Sequence, residues 1–439
     1  MRKCRSRHSR GAVVARRRAL KILDVTEFYS ERGGGVRSHL TSKGHVLCQL
    51  GHEHVVVAPG PHDEQVGDVA RPGGSARVIR LQGPPSPYDP TYHLFTRFDK
   101  IREICAKERP DILEIHSPYL AAAGALRARR SDYGARTFQW HSDSIDTYLG
   151  VLRAGIARDE AARGRAAVAR TAAGLLPSAA WRAGSAPFWA LSRAIAARCD
   201  ATLVASRTQA DKLEAHGMAR VVRRPFGIDH DTFAPEARSE EARARLRGLA
   251  GASEGATLLV AVGRLAIEKQ LAFVIDAVGR AARGRDLALV VLGDGPERAR
   301  LEARAATQPS GRFGFAGFVN GRQELAALLA SADGLVHGCP WETFGLSIAE
   351  AMSAGLPVVV PDEGGASEMH DPASGETYAA LDLAAFVAAI LRLRARFDDG
   401  ERAAMSAAAR ARAAELPTVV GAFEAQVDIY RMILSHSRR

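Results

Sequence analysis

Short apolar runs alternate with helix-forming stretches along nearly the whole chain, and this alternation constrains the fold more than any other feature. In the first half the runs predict strands at Leu20–Val25, His54–Ala58, Arg77–Leu81, Ile112–His116, Thr137–His141 and Thr202–Ala205. In the second half they predict strands at Leu258–Val262, Ala288–Leu292, Phe313–Phe315, Gly334–His337 and Pro357–Val360. Alanine- and leucine-rich stretches such as Phe273–Ala282 and Glu324–Ser331 lie between them. Strands that alternate with helices argue for α/β architecture with parallel sheets. A chain of 439 residues is too long for one core. Two doubly wound domains follow, with the break expected near Arg224-Pro225-Phe226-Gly227-Ile228-Asp229, before the charged segment Glu236–Arg247. The division expected is a domain over 19–227 and a second over 228–415.

Within the second series, Pro340 to Met352 holds two carboxylates, Glu342 and Glu350, around Thr343-Phe344-Gly345-Leu346. A strand precedes this segment and another follows, so a helix N-terminus near Gly345 or Leu346 lies at the carboxyl edge of a parallel sheet. Backbone N–H groups and the positive helix end at that edge bind phosphate. Side chains on a helix lean toward its N-terminus, so Glu350 and the loop residue Glu342 can face one cleft. Carboxylates do not bind phosphate; they accept hydrogen bonds from hydroxyls. A ligand with both a diphosphate and many hydroxyls is a nucleotide sugar.

Other segments fit the same ligand. Gly263-Arg264 ends the strand Leu258–Val262, and Lys269 lies where the next helix should begin. Two cations there can neutralise a diphosphate and stabilise it as a leaving group. Glu31-Arg32-Gly33-Gly34-Gly35-Val36-Arg37 follows the first strand, and Gly34 and Gly35 allow the backbone to approach a phosphate. It is not the spaced G-x-G-x-x-G fingerprint; Gly293-Asp294-Gly295-Pro296 is not either and reads as a turn bordering the cleft. His116 and His141 end neighbouring strands, and a histidine at that edge can meet a sugar hydroxyl or a developing charge. Asp229-His230-Asp231 has the D-x-D pattern of a divalent metal site. Its place in the interdomain connection favours a turn or cap, so no metal is expected.

The net charge of +11 suits an anionic ligand, an anionic lipid surface or nucleic acid. Aromatic residues are only 6%, too few for the stacking platforms of a nucleic-acid groove. The five cysteines are scattered without a C-x-x-C pair, which suggests a reducing, cytoplasmic setting. No apolar run approaches the ~20 residues a membrane span needs. Residues 1–18 form an arginine-rich arm, read as a solvated extension or as a contact with anionic lipid. Residues 148–198 form an arginine-rich, helical insertion with Trp181, Phe188, Trp189 and Leu191 near its end. It reads either as amphipathic helices for a membrane or acceptor, or as an ordinary insertion with solvated arginines.

Taken together, Gly263-Arg264 with Lys269, Gly293-Asp294-Gly295-Pro296, Phe315-Ala316-Gly317-Phe318-Val319 and the spacing from Glu342 to Glu350 resemble the retaining glycosyltransferases of family 4. The resemblance covers about Leu20 to Ala380 and implies the GT-B fold, two facing Rossmann-like domains with a cleft between them. It implies that Glu350 holds the ribose hydroxyls and Glu342 the hydroxyls of the transferred sugar, helped by backbone N–H groups of Thr343, Phe344, Gly345 and Leu346. Arg264 and Lys269 would hold the diphosphate, and Phe318 and Val319 would border the base. His141 would lie near the anomeric carbon, with Gly34 and Gly35 bordering the phosphate from the opposite domain. Residues 416–439 resemble the last helix of the family, which crosses back to the N-terminal domain. The implied reaction moves a hexose from a UDP- or GDP-linked donor to a hydroxyl of a lipid or glycan, with an α-linkage and no metal or resident cofactor. Front-face attack assisted by the leaving phosphate is the expected route. Peripheral contact with an anionic membrane, at its inner face, is a further expectation, and nucleic acid is not an expected partner. An epimerase, a phosphorylase or a non-catalytic carbohydrate binder on the same fold are the alternatives; no lysine-bearing cofactor site favours the phosphorylase.

Overall fold

A computed structural model describes residues 18–30, 35–71, 74–87, 89–143, 145–147 and 178–437. The first sheet contains β1 (Lys21–Val25), β2 (Glu53–Gly60), β3 (Glu64–Arg71), β4 (Gly74–Gln82), β5 (Ile112–Ile115), β6 (Ala135–Trp140), β7 (Ala201–Val204) and β8 (Val221–Arg223). Their spatial order is 3-4-2-1-5-6-7-8, parallel throughout except for β3 against β4. The second sheet contains β9 (Thr257–Val262), β10 (Leu287–Leu292), β11 (Arg312–Gly317), β12 (Gly334–Val336), β13 (Val358–Pro361) and β14 (Gly375–Tyr378). It is wholly parallel, in the order 11-10-9-12-13-14. Both sheets thus reverse their winding beside their first strand, β1 or β9, which is where doubly wound folds bind ligands.

Along the first domain run α1 (Gly35–Gln49), α2 (Phe98–Glu108), α3 (Leu120–Ala125), α4 (Ser178–Ala196) and α5 (Arg207–Ala215). The second domain has α6 (Glu240–Ala250), α7 (Leu271–Ala281), α8 (Arg298–Ala306), α9 (Arg322–Ala330), α10 (Leu346–Ser353), α11 (Gly364–Ser367), α12 (Leu383–Asp398) and α13 (Arg402–Ala414). The central strands are legible as unbroken apolar runs because helices cover both faces; every residue of β10 and β13 is buried. Helix α6 shows how local chemistry sets the ends. Ser239 accepts from the Ala242 N–H, Glu240 and Glu241 fill the positive first turn, and Gly251 closes the helix at φ 62°.

Strands β3, β8 and β14 are absent from the sequence expectation. All are short or polar edge strands, and β3 carries Glu64, Gln65 and Asp68 among its residues. Of the arginine-rich insertion, 148–177 lies outside the described residues, as does the arm over 1–17. The part that is described forms α4, which buries Trp189 against Trp140 and His216 and exposes Phe188 and Leu191. Among the described residues, no helix is long and apolar enough to cross a membrane. Cys48, Cys105, Cys199 and Cys339 are buried free thiols.

The last helix, α14 (Val419–Ser437), leaves the second domain and packs Val427, Tyr430, Ile433 and Leu434 on Leu20, Ile22, Ile112 and Leu203 of the first. Full burial of each such side chain is worth roughly 1.5–3 kcal/mol, so an apolar stripe fixes this helix to the first sheet. The two interdomain segments pair where they cross, with the Ile228 N–H donating to Pro417 O at 2.9 Å. A side chain at Gly227 would place Cβ 2.4 Å from Thr418 O, so the crossing needs glycine. Elsewhere Glu368 of the second domain accepts from the Arg207 and Thr208 N–H groups at 3.1 and 2.6 Å, capping α5 of the first.

Candidate active site

The loops after β9, β10, β11 and β12 meet at one edge of the second sheet. Gly293 N–H donates to Gly317 O, and Leu265 N–H donates to Asp294 O, both at 2.9 Å. The loop after β9 carries Arg264 and a single tight turn, Ile267–Lys269, before α7. The loop after β12 carries His337 to Gly345. Gly345 adopts φ 91°, ψ 47°, which turns the chain into α10 and is costly for other residues. No side chain caps α10; the Ile348 N–H turns back to Gly345 O at 3.0 Å, and the Leu346 and Ser347 N–H groups remain for water or a ligand.

Lys269 and Glu342, which are 73 residues apart, form an ion pair with Nζ 2.7 Å from Oε2. Burial would raise the Glu342 carboxyl, but Lys269 outweighs it and holds the group below the usual carboxylate range. Burial would likewise lower the Lys269 ammonium, and Glu342 reverses this. His337 Nε2 lies 3.5 Å from the same carboxylate oxygen. Burial pushes that imidazole down to about 4 and the Cys339 thiol up to about 12, so both are neutral. One charged pair therefore stands between neutral neighbours.

Glu350 lies one turn inside α10 and is buried. Its partner is Arg322 at 3.3 Å, which also reaches Asp229 at 3.4 Å. Burial pushes the Glu350 carboxyl up to about 7 against the pull of Arg322. Asp229 accepts from the Thr232 N–H at 3.1 Å, the turn role expected for the D-x-D segment. Val319 packs against the core of the second domain, while its neighbour Phe318 is exposed.

The first domain meets this edge directly. Thr343 Oγ1 donates to the carbonyl of His141 at 2.8 Å, bridging the domains. The Phe226 ring stacks on His141 and contacts Phe344 edge-on, with centroids 6.0 and 5.3 Å apart. Arg264 crosses to Asp89, with which it forms an ion pair, and its guanidinium lies 5.2 Å from the Tyr92 ring. Asp89 is held in turn by the Thr91 N–H at 3.0 Å. Gly35 opens α1, and nothing lies within 4 Å of the position its Cβ would take. Gly34 lies outside the described residues.

Of the residues singled out by sequence, the structure joins Lys269 to Glu342 and bonds Thr343 to the His141 carbonyl, with Phe226 between His141 and Phe344. Arg264 and Glu350 have other partners, Asp89 and Arg322, which sequence reasoning does not find. It also places His116 and His141 in contact, Nδ1 to Nε2 at 2.6 Å. Among the described residues, two groups have the ligand types of a metal site, His337–Cys339–Glu342 and Asp24–Glu114–His116. In each, a lysine ammonium already lies against a carboxylate, Lys269 at 2.7 Å and Lys43 at 2.8 Å.

Residues 33–232 match the family model described as Glycosyltransferase Family 4, and residues 256–396 match the model described as Glycosyl transferases group 1. The chain is 30% identical over 359 residues to the GDP-mannose-dependent alpha-(1-6)-phosphatidylinositol dimannoside mannosyltransferase of Mycobacterium tuberculosis, covering 81% of this chain and 83% of that protein. It is 28% identical over 354 residues to a GDP-mannose-dependent alpha-mannosyltransferase of Mycolicibacterium smegmatis, covering 80% and 82%. Among solved structures, sucrose-phosphate synthase from Thermosynechococcus elongatus superimposes with a TM-score of 0.72 at 20% identity, covering 95% of this chain and 100% of that one. That likeness is one of fold.

Proposed function

This chain belongs to glycosyltransferase family 4, a nucleotide-sugar transferase of the GT-B fold, and we propose that it moves mannose from GDP-mannose to a hydroxyl of a lipid-linked acceptor with retention. The donor follows the names of both similar mannosyltransferases, and the lipid character of the acceptor follows the name of the Mycobacterium tuberculosis protein. The observation that carries the reading is the charged edge of the second sheet, where Arg264 and the Lys269–Glu342 pair lie on the loops beside the start of α10 and Thr343, just ahead of that helix, bonds the His141 carbonyl. In the proposed complex the donor diphosphate replaces Asp89 at Arg264 and draws Lys269 from Glu342. Glu342 then accepts from hydroxyls of the sugar, and Glu350 from those of the ribose. The backbone near Val319 borders the base, and Gly34 and Gly35 close the phosphate side from the first domain.

The C1–O bond to the diphosphate breaks with its electron pair going to the phosphate oxygen. The acceptor oxygen attacks C1 on the same face, and its proton passes to that phosphate oxygen. Arg264, Lys269 and the α10 N-terminus stabilise the charge that develops there. Metal independence is part of the proposal, because in the free protein both metal-like groups hold a lysine ammonium against a carboxylate, and in the complex Lys269 and Arg264 supply the positive charge at the diphosphate. No resident cofactor is needed for this step. Peripheral membrane contact is proposed for the face of α4 that exposes Phe188 and Leu191, in a chain of charge +11.

The test is a thermal-shift and calorimetric screen of the full chain against GDP-mannose, UDP-glucose, ADP-glucose and TDP-glucose. A rise in melting temperature selective for GDP-mannose, lost in Arg264→Ala, is expected. Selective binding of a uridine donor would refute the guanosine assignment. A sugar ester trapped on any side chain would refute front-face attack, and a β-linked product by NMR would refute retention.

A further inference from the structure

Beneath His141 lies a buried polar cluster that the reaction above does not use. Asp24 on β1 and Glu114 on β5 are register partners, and both are fully buried. Lys43 of α1 lies 2.8 Å from each carboxylate and is equally buried. His54 of β2 reaches Asp24 at 2.7 Å. Thr137 and, from α14, Tyr430 donate to Glu114 at 2.8 and 2.7 Å. His116 spans the space between this cluster and the cleft. Its Nε2 lies 3.5 Å from Asp24 Oδ2 and 3.4 Å from Glu114 Oε1, close to both carboxylates but hydrogen-bonded to neither, while its Nδ1 meets His141 Nε2 at 2.6 Å. From the interdomain side Arg224 is buried over the rings of Phe226 and Phe423, and none of its guanidinium nitrogens has a hydrogen-bond partner among the described residues. His39 of α1 packs on His141 with ring centroids 5.2 Å apart.

The charges balance with neutral imidazoles, since two carboxylates oppose the two cations Lys43 and Arg224. A nitrogen that faces two carboxylates must carry the proton, because a lone pair there would oppose theirs. A neutral imidazole has one N–H, so His116 Nδ1 is an acceptor and the proton shared with His141 belongs to His141 Nε2. We infer that His116 is a positioning residue that fixes His141 as the Nε2–H tautomer, with its lone pair on Nδ1, and that the Asp24–Glu114–Lys43 cluster orients His116. Burial and the Arg224 charge hold His141 well below the usual imidazole range, which keeps it neutral. In this tautomer the remaining ring nitrogen accepts a hydrogen bond from a hydroxyl; in the other it would donate one. The functional part of this inference rests on His141 standing beside the transferred sugar.

The experiment is nitrogen-15 NMR of the full chain labelled at histidine, read alongside turnover of GDP-mannose with phosphatidylinositol vesicles. Wild type at pH 8 is expected to show His141 and His116 as Nε2–H tautomers. An Nδ1–H signal for His141, or a doubly protonated His116, would overturn the inference. In His116→Phe the preference at His141 is expected to be lost, with kcat down roughly 10–100-fold and the KM for GDP-mannose little changed. His116→Asn supplies an amide oxygen in place of Nδ1 and is expected to restore most of the loss. Full turnover in His116→Phe beside an inactive His141→Ala would refute positioning. Full turnover in His141→Ala would instead remove His141 from the reaction, and the NMR spectrum would still decide its tautomer.

Discussion

Replacing Glu350 by glutamine should make the protein more stable at pH 8 and a weaker binder of nucleotide. The folded-state pKa is about 7 against an ordinary value of 4.5, raised chiefly by burial. A carboxyl raised on folding is fully compatible with the fold below the unfolded value, and its stabilising proton is lost as pH rises through the folded one. Two and a half units at 1.36 kcal/mol each give a cost of about 3 kcal/mol above pH 7, and under about 1 kcal/mol at pH 5. The side chain is only 9% exposed, so solvent screening removes little of this. An amide pays no such penalty at either pH. Its other effects, including the loss of a charged partner for Arg322, are nearly the same at both. The gain in unfolding free energy of the variant, measured in urea at pH 5 and pH 8, should therefore be larger at pH 8 by on the order of 2 kcal/mol. Nucleotide affinity should move the opposite way. Wild type should bind GDP more tightly as pH rises from 6 to 8, and the variant should be weaker and flat over that range. A stability gain that is equal at the two pH values would refute the burial argument. Unchanged GDP affinity would remove Glu350 from the donor site.

Three further outcomes follow from the same geometry. Glu342→Gln should lower turnover roughly 10–150-fold, the value of one charged hydrogen bond, in an assay of GDP release; full activity would take Glu342 out of the site. Asp89→Asn frees Arg264 from a partly buried pair; at about 1 kcal/mol for a solvent-screened pair, GDP affinity by calorimetry should rise about fivefold, and a fall would show that Asp89 assists binding. Lys43→Met strands two buried carboxylates and should cost roughly 3–5 kcal/mol in urea unfolding at pH 7, with part of the loss recovered at acidic pH; a cost below about 1 kcal/mol would contradict the pairing.

The central strands are legible because parallel strands buried on both faces must be apolar throughout, as in Leu287–Leu292. The edges are not, because one open side lets β3 and β14 carry glutamates. The start of α10 is legible from Gly345, whose backbone few other residues adopt. Contacts across the cleft are not, since Arg264–Asp89 joins residues 175 apart through the packing of two domains. A signal for the cluster under His141 does exist in the sequence. Asp24 and Glu114 interrupt the runs Ile22–Val25 and Ile112–Ile115, and a charge inside a two-sided strand demands a buried partner. Neither strand names Lys43 as that partner, which becomes visible only when α1 is laid on the sheet.

The most direct test is a crystal structure of the full chain with GDP bound. The diphosphate is expected between Arg264 and Lys269 at the start of α10, with Asp89 released and the ribose hydroxyls on Glu350. A nucleotide bound elsewhere, with the Arg264–Asp89 and Lys269–Glu342 pairs intact, would contradict the donor site described above.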